Sequence, residues 1–334
     1  MGFMATIQDV AKNAQVGVAT VSRVLSGKGY VKAKTRERIL QSIEELNYIP
    51  NEMARNLYYQ KSGIVAVIVP QISHPFFGEF VDNVEAALYK EGYQTMICNT
   101  WSEKNYELRY LDMLKRRVVD GIIFGSHTLD VEHYQNVHRP LVALDRDLGM
   151  DIPCAAVDHR EGGRLAAEAL IQAGCRRVLQ FQNNGLVSSP SNLRHDVFEK
   201  AMREHGITCY SYVMDWNSFS YDCYEHVTEH VLEEYPDIDG VFAVDAIAMN
   251  LLRRAAEMGK RVPQDLKVVA YDGTGVSGLA SPSMTTICQP IAQLAQECVR
   301  LIIEQIQGKA LERKYVELRV SVKQGRSTMT ADEG

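Results

Sequence analysis

The chain has 334 residues, 46% of them hydrophobic and 23% charged, with a formal net charge of −6. That length suits two or three domains with a sizeable core, and no apolar run approaches the ~18 residues that a membrane span requires. The seven cysteines (98, 154, 175, 209, 223, 288 and 298) are dispersed without a Cys-x-x-Cys pair, and the nine histidines are scattered too, which points to reduced thiols and away from a zinc site.

Charge is unevenly placed. Residues 1–62 hold nine Lys/Arg and five Asp/Glu, a local +4, so the other 272 residues carry −10. A basic head on an acidic body is the footprint of a small DNA-binding module carried by another domain. Met1-Gly2-Phe3-Met4 lacks the basic-then-apolar pattern of a secretory signal, so a cytoplasmic protein is expected.

Thr6-Ile7-Gln8-Asp9 reads as a helix start, with Thr6 as N-cap and an acid three residues on. Ile7, Val10, Ala11 and Ala14 then share one face. After a break at Gln15-Val16-Gly17, a second helix over about 18–25 turns Val21, Val24 and Leu25 inward. A third over about 33–47 does the same with Ile39, Leu40, Ile43 and Leu46. The pattern is a helix-turn-helix. Its second helix presents Val18, Ala19, Thr20, Ser22 and Arg23, and the first residues of such a helix reach base edges in the major groove. Arg23 suits a bidentate contact to guanine, and Thr20 and Ser22 suit phosphate or base contacts. Val18 and Ala19 offer only apolar contact. The plain alternative is a three-helix bundle with solvated polar faces.

From residue 63 the pattern changes. Ile64-Val-Ala-Val-Ile-Val69 is a continuous apolar run, as in a strand covered on both faces of a parallel sheet. Strands are predicted at 95–98, 121–124, 141–144, 178–181, 240–243 and 267–270. Helices are predicted at 80–91, 106–117, 162–173, 190–204, 221–234, 246–258 and 291–307. Such alternation implies doubly wound parallel α/β sheets, and about 265 residues are too many for one of them.

Ligands in open α/β sheets bind beyond the carboxyl ends of the strands. That rule selects Ser73-His-Pro-Phe-Phe77, Gly125-Ser126-His127, Asp145-Arg146, Asp245 and Asp272-Gly-Thr274. Carboxylates accept sugar hydroxyls, Arg194 can brace a carboxylate or ring oxygen, and Phe76, Phe77, Trp216 and Phe219 can stack on a sugar's C–H face. Each has a plain alternative: core packing for the two Phe, caps for Asp145 and Asp272, and lobe packing for Trp216. No nucleophile elbow, P-loop or dinucleotide fingerprint occurs, so a catalyst is not expected.

The run Ile7-Gln-Asp-Val-Ala-Lys-Asn-Ala-Gln-Val-Gly-Val-Ala-Thr-Val-Ser-Arg-Val-Leu25 resembles the headpiece of the LacI/GalR family of transcriptional regulators. Lys34-Thr-Arg-Glu-Arg-Ile39 and Leu46-Asn-Tyr-Ile-Pro-Asn51 match its third helix and the run into its hinge. Gly17 and Lys32 stand where the family usually has Ser caps. The resemblance implies a hinge helix over 50–59, with Leu57 as a wedge between base steps of the minor groove and Ala54 and Arg55 beside it. Thr6 and Asn51 complete the expected DNA-contacting set.

The same resemblance implies an effector site between two lobes. Leu193-Arg194-His-Asp-Val-Phe198 resembles the family's effector motif around Arg194. Ala143-Leu-Asp145 and Ala270-Tyr-Asp-Gly273 match its two effector aspartates. Asp215-Trp216 matches a stacking aromatic, Val244-Asp245-Ala-Ile-Ala248 a further strand-end motif, and Thr285-Thr-Ile-Cys-Gln-Pro290 a lobe crossover with Gln289 near the cleft. Ser126 and Ser191 join this set. Several runs, Ser189-Pro-Ser-Asn-Leu-Arg-His195 among them, look most like sucrose-operon repressors of Gram-positive bacteria.

The expected organisation is α/β: a helix-turn-helix headpiece over 1–49, a hinge helix and linker over 50–62, and a two-lobed periplasmic-binding-protein-like domain for effector binding and dimerisation over 63–328. Lobe 1 is expected over about 63–160 and 291–318, lobe 2 over about 161–290 and 319–328, and a disordered tail over 329–334. The implied function is a homodimeric repressor of carbohydrate-utilisation genes. It would bind a pseudo-palindromic double-stranded operator under control of a sugar or sugar phosphate, with no cofactor and no metal. The alternative is a global-type regulator controlled by a partner protein or a non-sugar co-repressor.

Overall fold

The computed structural model describes residues 5–26, 29–48, 61–100, 104–125, 131–135, 137, 139–149, 151–183, 189–214 and 221–329. They divide into two units, Met1–Ser62 and Gly63–Gly334.

Among the described residues the first unit contains three helices, α1 Ile7–Asn13, α2 Val18–Ser26 and α3 Ala33–Glu45. Thr6 starts α1 with a reciprocal capping box. Its hydroxyl accepts from the Asp9 N–H at 3.3 Å, and the Asp9 carboxylate accepts from the Thr6 N–H at 2.9 Å. Lys32 starts α3 without any side-chain cap bond. Val10, Ala11, Ala14, Val21, Val24 and Ile39 make the buried centre. Leu40, expected inward, is 53% exposed. One helical step from Ile39 turns a side chain by about 100°, and Ile39 takes the inward position.

The second unit holds two six-stranded sheets. The first is ordered β11-β5-β4-β3-β1-β2, from β1 Ile64–Val69, β2 Gln94–Asn99, β3 Gly121–Phe124, β4 Leu141–Leu144, β5 Cys154–Val157 and β11 Tyr315–Leu318. Its strands pair in parallel throughout. The second is ordered β12-β10-β9-β8-β6-β7. Its strands are β6 Arg177–Asn183, β7 Thr208–Met214, β8 Gly240–Val244, β9 Lys267–Asp272, β10 Thr285–Cys288 and the short antiparallel β12 Ser321–Lys323.

Both sheets use the same doubly wound order. In the first, strands one to five run 2-1-3-4-5, and β6 to β10 repeat that order in the second. Helices α4 Pro75–Lys90, α5 Lys104–Lys115, α6 Val131–Gln135 and α12 Ile291–Ile306 serve the first lobe. Helices α7 His159–Gln172, α8 Leu193–Glu204, α9 Tyr221–Glu234, α10 Asp245–Glu257 and α11 Gly275–Leu279 serve the second. The expected fold class is the one observed.

The chain crosses between lobes after β5, after β10 and between β11 and β12. One apolar core joins the two sheets, with Val65, Val67, Phe80 and Ile302 on one side and Val178, Phe242, Val269 and Ile287 on the other. The outer faces have separate cores around Phe124 and Tyr134, and around Leu251 and Val268.

Two glycines let α7 lie close to its neighbours, Gly162 to the second sheet and Gly163 to α8. A Cβ at Gly162 would fall 2.8 Å from the Tyr271 ring, and one at Gly163 would fall 2.2 Å from the Arg194 carbonyl oxygen. The second obstacle is backbone, so it cannot rotate away. Gly163→Ala is therefore expected to lose about 1–3 kcal/mol of stability through overpacking. A thermal melt would read this as a clear fall in midpoint, and an unchanged midpoint would mean that α8 shifts without cost.

Candidate functional site

Helix α2 carries the exposed side chains Val18, Ala19 and Arg23, with Thr20 and Ser22 half-buried beside them. Gly17 precedes the helix, and its carbonyl accepts the Thr20 and Val21 N–H groups. Val21 and Val24 point the opposite way into the core. One amphipathic helix thus offers a small apolar tip followed by a cation. Thr6 is engaged in its own capping box, so its hydroxyl already serves α1. Asn51, Ala54, Arg55 and Leu57, and the hinge helix expected over 50–59, lie outside the described residues.

The second unit has a cavity at the carboxyl ends of the strands, lined from both lobes. The first lobe contributes His74, Phe76, Phe77 and Asp145; the second contributes Ser189, Ser191, Arg194, Asp272 and Gln289. Phe76 and Phe77 follow Pro75 in the first turn of α4, with ring centroids 5.2 Å apart and edge to face. They are both core and wall: each is at least nine-tenths buried, and each borders the cavity. Ser126 and Trp216 lie outside the described residues.

The two aspartates occupy equivalent places. Asp145 follows β4 and Asp272 ends β9, the fourth strand of each repeat. Both have positive φ, +54° and +109°, a conformation that non-glycine residues adopt at a cost and that clusters at binding sites. Asp145 Oδ1 accepts from the Val157 N–H at 3.3 Å and lies 3.0 Å from His159 Nε2. Asp272 Oδ1 accepts from Gln289 Nε2 at 2.8 Å, and the Asp272 carbonyl accepts the Gln289 N–H. Burial pushes the Asp272 carboxyl well above its usual range, helped by the charge of Asp245 and opposed by that of Arg194.

Arg194 sits in the first turn of α8, 8% exposed. Its guanidinium carbon lies 4.4 Å from the centroid of the Tyr271 ring, a cation–π contact. Its Nε–H donates to His195 Nε2 at 3.2 Å. His195 Nδ1 then faces Gln180 Oε1 at 3.1 Å, and Gln180 Nε2 donates to Ser211 Oγ at 3.0 Å. Burial, with the charge of Arg194 next, lowers the His195 pKa well below its usual value. The imidazole therefore stays neutral and keeps a lone pair for Arg194. Nothing in the sequence marks His195 beyond its place after Arg194, because Gln180, which faces its Nδ1, lies 15 positions away.

One expected site residue is placed elsewhere. Asp245 is fully buried and does not line the cavity. Its carboxylate accepts from the Thr274 N–H and hydroxyl at 2.7 Å each, and from the Thr286 hydroxyl at 2.9 Å. It ties α10 to the ends of β9 and β10, and its neighbours Val244 and Ile247 are the cavity residues instead.

Among the described residues no group of three His, Cys, Asp or Glu side chains is placed to hold a metal, and no helix is long and apolar enough to cross a membrane. Residues 6–51 match the family described as bacterial regulatory proteins, lacI family, and residues 167–328 match a periplasmic binding protein-like domain. The ribose operon repressor of Halalkalibacterium halodurans is 40% identical over 316 residues, covering 94% of each chain. The chain belongs to the lacI family. A sucrose operon repressor from Pediococcus pentosaceus is 35% identical, covering 92% of this chain and 95% of that one. Among solved structures, a lac repressor dimer bound to operator and the anti-inducer ONPF aligns with a TM-score of 0.84 and 27% identity, covering 98% of this chain and all of that one. The headpiece and two-lobed body found here are the architecture of this family, and its strand-end cavity lies in the periplasmic binding protein-like part and the lobe facing it.

The buried aspartates give this family member a defined pH response. Burial pushes Asp245 from 3.8 up to about 6 in the folded chain, despite its three hydrogen bonds. A raised carboxyl pKa means that the folded state holds its proton where the unfolded state has lost it. Stability from this group is therefore present below about pH 4 and is lost as pH rises through about 6. Asp272 contributes with the same sign. Asp245→Asn can keep an oxygen on Thr274 and turn an N–H₂ toward the Thr286 hydroxyl. It is expected to flatten the fall in stability across that window, as read by denaturant midpoints between pH 4 and 7. A fall as steep as in the parent would show that Asp245 is charged throughout.

Proposed function

We propose that this repressor binds an uncharged sugar between its lobes through Asp145, Arg194, Asp272 and Gln289, and that the sugar sets the grip of α2 on operator DNA. The observation that carries the reading is the pairing of two carboxylates from equivalent strand ends with one buried guanidinium across a single cavity. Carboxylates accept from adjacent hydroxyls, and Arg194 donates to a ring or hydroxyl oxygen. Gln289 Oε1 is a buried acceptor with no hydrogen-bond donor among the described residues, which suits one more sugar hydroxyl. Phe76 and Phe77 offer apolar surface to C–H groups.

Charge argues against a phosphorylated effector. Arg194 is the one cation lining the cavity among the described residues, and it faces two carboxyl groups. The sequence stretches 126–130, 184–188 and 215–220, which follow β3, β6 and β7, contain no Lys or Arg. A phosphate dianion would need excess positive charge or backbone N–H cradles. The relatives named above include repressors of ribose and sucrose operons, which favours neutral sugars for this chain as well.

At the other end, α2 would enter the major groove with Val18 and Ala19 against apolar base edges and Arg23 on guanine. Two copies in a homodimer would read the halves of a pseudo-palindrome. The coupling is reciprocal: a sugar that weakens operator binding must itself bind less tightly to the operator complex.

A thermal-shift panel of D-ribose, sucrose, D-fructose and ribose 5-phosphate tests the site. A neutral sugar is expected to raise the midpoint and the phosphate to leave it unchanged; the reverse order would reject the charge argument. Arg194→Ala is expected to abolish the sugar response while operator binding persists. For the headpiece, a duplex selected from a random library should lose roughly 10³–10⁵ in affinity between 50 and 200 mM salt if six to ten phosphates are contacted. Arg23→Ala should relax discrimination at one base pair by about 1–3 kcal/mol. Binding by that variant with full discrimination would remove Arg23 from base reading.

A further inference from the structure

His159 opens α7 at the point where the chain first crosses from one lobe to the other. Asp158 before it caps the helix by accepting the Glu161 N–H at 2.9 Å, which fixes the start of the helix and the position of the imidazole. The ring is 2% exposed. Its two nitrogens face different lobes: Nε2 lies 3.0 Å from Asp145 Oδ1 of the first, and Nδ1 lies 2.9 Å from the Tyr271 hydroxyl of the second. Tyr271 is fully buried and carries the Arg194 guanidinium on its ring.

One His159 tautomer satisfies both bonds. Burial raises the Tyr271 pKa, so its hydroxyl keeps its proton and has one O–H to donate. With its proton on Nε2, the imidazole accepts that bond at Nδ1 and donates Nε2–H to the Asp145 carboxylate. The run Tyr271 O–H to His159 to Asp145 is then satisfied at each end. It joins a residue under Arg194 to the carboxylate that faces the cavity from the opposite lobe.

We infer that His159 is a positioning residue that aims the Asp145 carboxylate according to where Tyr271 stands, so that the two lobes present their effector groups as one unit. A buried bridge at a crossover has this effect because a shift of β9 moves the hydroxyl, and a two-ended imidazole passes the shift on. Its use in sugar binding rests on the reading of Asp145 and Arg194 as effector contacts. The bridge itself does not.

The reporter is the Val157 amide, which donates to the same Asp145 oxygen. Hydrogen exchange in the sugar-free protein is measured at Val157 relative to Val67 in β1, so that a general loss of stability cancels. Tyr271→Phe removes only a hydroxyl in the other lobe. It is expected to speed Val157 exchange by about fivefold relative to Val67, the scale of one lost hydrogen bond. His159→Ala should do at least as much. His159→Gln, which keeps an N–H near the Nε2 position, should restore part of the protection. In His159→Ala the added Tyr271→Phe change should have no further effect. A Val157 ratio unmoved by Tyr271→Phe, or equal effects of the Gln and Ala replacements, would overturn the proposal.

Calorimetric titration with D-ribose separates this from the sugar reading. Weaker ribose binding in Tyr271→Phe together with a moved Val157 ratio supports both. A moved ratio in a protein that binds no ribose supports the bridge and counts against ribose as the effector. Ribose binding that is unchanged in Tyr271→Phe overturns the role assigned to His159 in sugar recognition.

Discussion

A guanidinium taken out of water must be compensated on every side, and the cleft is arranged around that demand. Arg194 rests on the Tyr271 ring, gives its Nε–H to His195 and feels the charge of Asp272. None of these partners would suffice alone, because the cost of desolvating a cation runs to several kcal/mol. His195 can accept only while it stays neutral, which burial and the Arg194 charge secure, while Gln180 Oε1 takes the proton on Nδ1. The close approach of α7 and α8 at Gly163 fixes the backbone from which Arg194 extends. The geometry of the cavity thus follows from keeping one charge in place.

Much of this was legible from the residues. The apolar run Ile64–Val69 and the strands at 121–124 and 141–144 declare buried parallel sheet, because covering both faces removes the need for polar alternation. Strand Thr208–Met214 escaped that signal: it is a sheet edge with mixed exposure, and its polar and aromatic residues carry no clean period. Helix α4 begins at Pro75, five residues before the start expected at Phe80, since proline favours the first turn.

The site was readable as a set of positions, less so as a set of orientations. The strand-end rule selected Asp145, Asp245 and Asp272 alike. Two of them border the cavity, whereas Asp245 turns inward to Thr274 and Thr286, an arrangement set by partners 29 and 41 residues away. His159 and His195 gave no signal for the same reason. A single histidine is defined by what approaches it in space, and the hydroxyl that meets His159 comes from 112 residues along the chain.

The repeated strand order has a further consequence. Because each lobe places an aspartate at the same strand end, two carboxyl groups share one cavity that screens charge poorly; burial first, then the charges of Asp245 and Asp145, raise the Asp272 pKa. A carboxyl that holds its proton can donate as well as accept, so Asp272 can meet a ligand oxygen that a carboxylate would repel.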